Sequence, residues 1–164
     1  MRGSWGRPHH ASRMRRDRHG ESHRLRRGRV SIPGTCSHLR FSTYRRRPVF
    51  GEFQAARAVV RSLREADRRG HASTLCFVVM SDHVHWLCVL GPRIRLAPPV
   101  GGVKARVTCA LREDGPIWQE GFFDRGLRAE EDLAAAARYI VANPLRAGLA
   151  GSVRMYPHWD AVWL

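Results

Sequence analysis

Ser73-Thr-Leu-Cys-Phe-Val-Val-Met-Ser-Asp-His-Val-His-Trp-Leu-Cys-Val-Leu90 is the stretch that decides how this chain folds. Its first part, Ser73 to Met80, is short and strongly apolar. Val78 and Val79 add the β-branched side chains that suit a pleated surface, so it reads as a central strand. Ser81-Asp82 makes a turn. His83 to Leu90 then reads as a second strand, paired to the first as a hairpin. Alternation along that strand puts His83 and His85 on one face and turns Val84 into the core.

On the N-terminal side, Phe53, Ala56, Val60 and Leu63 are spaced as one face of a helix from Glu52 to Arg69, with arginines opposite and Gly70 as its stop. Before it, Thr35 to Thr43 reads as a strand with imperfect alternation of Cys36, Leu39 and Phe41, preceded by a turn at Ile32-Pro33-Gly34. On the C-terminal side, Gly91 to Gly102 holds three prolines and reads as a loop. Val103 to Leu111 reads as a weak helix with Val103, Val107, Ala110 and Leu111 inward. Pro116 to Phe123 reads as a fourth strand carrying Trp118, Phe122 and Phe123. A helix is expected from about Ala129 to Ala142, with Glu130, Glu131 and Asp132 in its first turn, where the helix dipole favours negative charge. Leu133, Ala137 and Ile140 share its buried face, and Pro144 ends it. The order strand, helix, strand, strand, helix, strand, helix predicts an α+β fold. The expected form is a ferredoxin-like antiparallel sheet with helices on one face, βαββαβ plus a C-terminal helix.

The charge balance narrows the function. Of 164 residues, 29 are Lys or Arg and 14 are Asp or Glu, a net charge of +15. Such a field attracts polyanions, above all nucleic acid. A basic membrane-surface protein is the competing class, and no basic amphipathic helix with a wide apolar face supports it. Residues 1–29 carry ten arginines against Asp17 and Glu21, a share of +8 that leaves +7 on the rest. This stretch is almost free of apolar residues and is expected to be a disordered Arg-rich tail, with 30–164 as a single domain. The tail reads equally as an inert extension or as a loose arm adding phosphate contacts. Cys36, Cys76, Cys88 and Cys109 form no C-x-x-C, which suits a reduced cytoplasmic protein. Neither a secretory leader nor a membrane-spanning run is expected.

Two signals carry chemistry. His83 and His85, side by side on a strand face, make half of a metal site. Tyr139 and Asn143, four apart, lie on one helical face at the border of the buried stripe. Alone, each has a plain structural reading: surface histidines, and a tyrosine that packs its ring and wets its hydroxyl. Together they fit one reaction. A phenol is a weak nucleophile at neutral pH, but it can attack a phosphodiester whose developing charge is stabilised by a divalent ion. Asn143 would add a neutral oxygen ligand. The ion would be Mg²⁺, favoured by availability, or Mn²⁺, favoured by two imidazoles.

At these residues the sequence resembles the REP-associated tyrosine transposases, within the HUH single-strand-DNA transposases. Phe77-Val-Val-Met-Ser-Asp-His-Val-His85 is similar to that family's apolar strand and M-P-N-H-V-H motif. Ile117-Trp-Gln-Glu-Gly-Phe-Phe-Asp-Arg-Gly-Leu-Arg128 is similar to its W-Q-x-G-[FY]-x-D segment. Arg138-Tyr-Ile-Val-Ala-Asn-Pro-Leu-Arg-Ala-Gly-Leu149 is similar to its Y-I-x-x-N-P-x-x-A-G-L motif. The likeness runs from about Arg29 onward. It implies His83 and His85 as metal ligands, Tyr139 as the catalytic nucleophile and Asn143 at the third-ligand position. The implied substrate is single-stranded DNA carrying a hairpin from a repetitive extragenic palindrome. The implied reaction is cleavage to a 5′-phosphotyrosine and a free 3′-hydroxyl, followed by strand joining, in the cytoplasm and associated with the nucleoid. Monomer or homodimer is left open. Two departures stand out: Ser81-Asp82 replaces Pro-Asn, and Arg125 stands where many relatives carry histidine.

A non-catalytic DNA-binding protein derived from such a transposase is the alternative. A two-histidine phosphoesterase acting on RNA ends is a third class, but His83-Val84-His85 does not match its H-x-[ST] motif. Arg128 reads as a surface arginine beside Glu131 and Asp132 or as a phosphate contact, and Tyr156, Trp159 and Trp163 are candidates for stacking on bases or, for at least two of them, for covering the core.

Overall fold

A computed structural model describes residues 36–92, 94–127 and 132–162. The Arg-rich tail, the turn at Ile32-Pro33-Gly34, Arg128, Glu130, Glu131 and Trp163 lie outside the described residues.

The sheet is built from β1 (Cys36–Ser42), β2 (Ala72–Val79), β3 (His83–Leu90), β4 (Phe123–Gly126) and β5 (Trp159–Ala161). The helices are α1 (Phe53–Arg68), α2 (Ala97–Leu111), α3 (Leu133–Val141) and α4 (Asn143–Arg146). The strand order is β4-β1-β3-β2-β5, and the pairs are antiparallel. The first four strands in that order give the ferredoxin-like arrangement expected from the sequence.

The β2–β3 hairpin forms as read: the Met80 amide donates to the His83 carbonyl at 2.8 Å across Ser81-Asp82. Both strands are apolar on both faces because both faces are covered. Phe77, Val79, Val84, Trp86 and Cys88 join Leu39 and Phe41 of β1 under α1 and α2, through Ala56, Val59, Val60, Leu63, Val103 and Val107. Cys76, Val78, Met80 and Leu87 join Cys36 under α3, through Ala137, Ile140 and Val141. The two helices of the βαββαβ unit thus share one face, and the C-terminal helix closes the other. The broken alternation of β1 has the same cause, since Cys36 belongs to one layer and Leu39 and Phe41 to the other.

Four local readings are corrected. The loop read over Gly91–Gly102 ends early: α2 starts at Ala97, with Pro98 and Pro99 in its first turn, where a missing amide proton costs nothing because that donor has no intrahelical partner. Val100, not Ala110, completes its buried face. The fourth strand starts at Phe123, where the sequence reading ended it. The aromatic stretch before it packs instead: Trp118 lies against Phe41 and Phe50 with ring centroids 5.4 and 5.1 Å apart. Gly121, at φ +74°, then turns the chain into β4. In the helix expected from Ala129, Asp132 is the cap of Leu133–Val141 rather than a first-turn residue, and Ala129 lies outside the described residues. Residues 159–161 add an edge strand on β2. No helix of the described residues is long and apolar enough to cross a membrane.

Candidate metal and nucleophile site

His83 and His85 point to the face covered by α3, while Val84 between them is fully buried on the other side. The His83 Nε2 and His85 Nε2 atoms are 3.1 Å apart. The far nitrogen of each ring is also engaged. His83 Nδ1 lies 2.6 Å from Asp82 Oδ1, and Arg46 Nε holds Asp82 Oδ2 at 2.8 Å. His85 Nδ1 lies 2.9 Å from Nε2 of His38, on β1. Backbone bonds fix the turn that presents Asp82: the Thr43 amide and hydroxyl both donate to the Asp82 carbonyl, at 2.9 and 3.0 Å.

The electrostatics keep these imidazoles neutral. Burial, reinforced by His83, His38, Arg40 and Arg146, pushes His85 down to about 3. Burial lowers His83 too, opposed by the Asp82 carboxylate. His38 is lowered by burial and by the charges of Arg40 and Arg125. Neutral imidazole is the form that binds metal.

The donor set fits a divalent cation at its histidine end. A carboxylate only accepts, so His83 carries its proton on Nδ1 and leaves Nε2 bare. Two imidazole nitrogens bound to one ion at about 2.1 Å, at angles of about 90° to 109°, lie about 3.0–3.4 Å apart. The observed 3.1 Å falls within that span. Among the described residues, no group of three or more His, Cys, Asp or Glu side chains forms a ready metal cage, so further ligands would have to come from an amide, water or substrate oxygens.

Tyr139 lies on α3 and is 64% exposed, so it is not a core aromatic. Its ring is stacked under Arg146, whose guanidinium carbon is 3.9 Å from the ring centroid. Arg146 also donates to the Tyr139 carbonyl at 2.8 Å, which fixes the guanidinium over the ring. A groove of about 620 Å³ runs beside it, with His38, Arg125 and Leu127 on the sheet wall and Asp132, Ala135, Ala136, Tyr139 and Ile140 on the helix wall. Tyr139 therefore meets the histidine cluster across this groove through His38, and no hydrogen bond joins its hydroxyl to either His83 or His85.

Asn143 does not share one continuous helix with Tyr139. The chain breaks between α3 and α4 at Ala142, and Asn143 opens α4 with Pro144 behind it. Its Nδ2 donates to the Ile140 carbonyl at 2.7 Å, which directs its amide nitrogen away and leaves Oδ1 as the ligand-capable atom. No hydrogen bond joins Asn143 to the histidines. Of the candidate stacking residues, Tyr156 and Trp159 pack against the α3 layer. The Tyr156 hydroxyl donates to the Val79 carbonyl at 2.7 Å and Trp159 Nε1 to the Val153 carbonyl at 2.8 Å, so both serve the core.

Sequence reasoning missed His38, Arg146 and the Asp82–Arg46 pair. No local pattern marks His38. It stands opposite Leu87 in the register, one diagonal step from His85, so its role depends on how β1 pairs with β3.

A ferredoxin-like sheet with paired histidines on one strand and a tyrosine-bearing helix over the same face defines a class of α+β protein. Comparison with solved structures makes the class particular. The chain is similar to the REP-associated tyrosine transposase bound to a REP hairpin, with a TM-score of 0.69, 20% identity, and coverage of 80% of this chain and 79% of that one. It is also similar to a candidate transposase from Deinococcus radiodurans R1, with a TM-score of 0.50, 23% identity, and coverage of 69% of this chain and 93% of that one. The fold is that of these transposases, the group that the sequence motifs resemble. No protein-family model and no curated protein matches the chain.

Proposed function

We propose that this protein is a single-strand-DNA transposase of the HUH type, which cleaves and rejoins hairpin DNA from repetitive extragenic palindromes through Tyr139. The observation that carries the reading is the exposed Tyr139 facing, across one groove, the imidazole cluster that leads to His85 and His83. A surface tyrosine stacked under a guanidinium has nothing to contribute to a core, and its hydroxyl is free for chemistry. The net charge of +15 suits a nucleic-acid substrate, and the fold neighbour bound to a REP hairpin supports a hairpin as its form.

In this reading the Tyr139 oxygen attacks phosphorus, the bond from phosphorus to the 3′-oxygen breaks, and that oxygen takes up a proton to leave as a free hydroxyl. The product is a 5′-phosphotyrosine. A 3′-hydroxyl then attacks the same phosphorus and releases Tyr139, so no external energy source is required. His83 and His85, with Asn143 as a third ligand, would hold Mg²⁺ or Mn²⁺, which when bound supplies Lewis-acid stabilisation of the phosphoryl oxygens. Asp82 orients His83, and Arg146 sets the Tyr139 ring and places positive charge where phosphate arrives. The site lies on the cytoplasmic side of the cell in this account, and DNA association would place the protein at the nucleoid.

The test is an end-labelled single-stranded hairpin oligonucleotide incubated with protein and Mn²⁺ or Mg²⁺, then run on a denaturing gel. The expected result is a covalent protein–DNA adduct that Tyr139→Phe abolishes. Tight binding with no adduct under any ion would overturn the enzyme and leave a non-catalytic DNA-binding protein.

A further inference from the structure

We propose that His38 is a positioning residue that holds the ring orientation of His85 at Nδ1, so that His85 Nε2 faces His83. The proposal rests on the reading above in one respect: it takes the two facing Nε2 atoms as the cation-holding pair.

His85 is 8% exposed, so neither of its ring nitrogens is freely solvated. Each has one neighbour. Nε2 faces His83 Nε2 at 3.1 Å, and Nδ1 faces His38 Nε2 at 2.9 Å. The His38 and His85 rings lie nearly parallel, 24° apart, with centroids separated by 5.1 Å. His83 is already committed, because the Asp82 carboxylate at 2.6 Å keeps its proton on Nδ1. For His85 to turn a bare Nε2 to the same point, its single proton must sit on Nδ1, and an acceptor must stand there. His38 Nε2 is that acceptor. With no cation bound, the same chain of rings is satisfied in reverse. His38 Nε2 donates to His85 Nδ1, and His85 Nε2 donates to His83 Nε2. Either way the ring is pinned at Nδ1 by a neutral imidazole that can accept or donate. An amide can make the same exchange, but a hydrocarbon cannot, and it would leave a buried N–H unsatisfied. Outer partners of ligating histidines act in this way on metal affinity.

Two measurements on the full chain test this. One is the side-chain ¹⁵N spectrum of His85 without metal; the other is Mn²⁺ affinity. His38→Phe keeps an aromatic ring and removes the nitrogen; His38→Gln restores a polar partner; His38→Leu replaces the Phe variant if that one does not fold. The expected result is a His85 Nδ1 shift of a hydrogen-bonded acceptor in the wild type, a move to that of an unbonded nitrogen in the Phe variant with an affinity loss of about 10- to 100-fold, and recovery of both in the Gln variant. Unchanged shifts and affinity in the Phe variant, or equal losses in Phe and Gln, overturn the role of His38 while leaving the metal reading intact. A moved Nδ1 shift in the Phe variant of a protein whose wild type binds no Mn²⁺ upholds the hold of His38 on His85 and overturns the metal reading instead.

Discussion

At the scale of single residues, the site depends on buried imidazoles held uncharged. His85 is pushed from an ordinary value near 6.5 down to about 3, first by burial and then by His83, His38, Arg40 and Arg146. The unfolded chain takes up a proton near 6.5 that the folded chain refuses until about 3. Folding stability contributed by this group is therefore complete above the unfolded value and declines as pH falls through that window, by at most about 1.4 kcal/mol per pH unit for one proton. Urea unfolding at stepped pH should show this decline, and His85→Asn should flatten it; an equally steep decline in the variant would remove His85 as its source. Tyr139 shows the opposite logic. Its ring is spent on a guanidinium rather than on the core, so Tyr139→Phe should leave unfolding midpoints nearly unchanged while abolishing the adduct.

At the scale of elements, short contacts fix where the site-bearing pieces start and stop. Asp132 caps α3 by accepting from the Ala135 amide at 2.9 Å, and α3 carries Tyr139. Asp132→Ala should cost about 1 kcal/mol of stability and speed hydrogen exchange at Ala135; unchanged exchange there would show that the cap is not what starts the helix. Gly91 ends β3 against the turn after α1. A Cβ there would sit 2.1 Å from the Gly70 carbonyl oxygen, so Gly91→Ala forces the backbone to move. We expect a loss of about 1–3 kcal/mol, the range for overpacking, against little change for Gly51→Ala, where a Cβ meets open space. Equal urea midpoints for the two variants would refute this close approach. Element boundaries were legible where apolar periodicity ran unbroken, as in α1 and the β2–β3 hairpin. They were not legible where chemistry overrode pattern. Pro98 and Pro99 look like loop residues but fit a helix start, and Trp118 looks like a strand aromatic but fills the core beside Phe41.

At the scale of the whole molecule, charge and layering separate binding from folding. Of the +15 net charge, residues 1–29 contribute +8. A chain without them should bind a hairpin oligonucleotide more weakly and with a shallower salt dependence, since every phosphate left un-neutralised lowers the slope by about 0.7 for single strands. An unchanged slope in anisotropy titrations would mark those arginines as bystanders to binding. The sequence by itself determined the hairpin, the α1 stripe, the ferredoxin-like order and the choice of His83, His85, Tyr139 and Asn143 as candidate site residues. Each of these is written in local periodicity, turn chemistry or motif spacing, which a chain carries whatever its tertiary path. Only the tertiary structure decided that β2 and β3 are covered on both faces, that residues 159–161 pair with β2, and that His38 from β1 bonds to His85 from β3. Those facts arise from antiparallel register and from which helix lies over which face, and they join residues 47 positions apart, a distance over which no local pattern in the chain carries information.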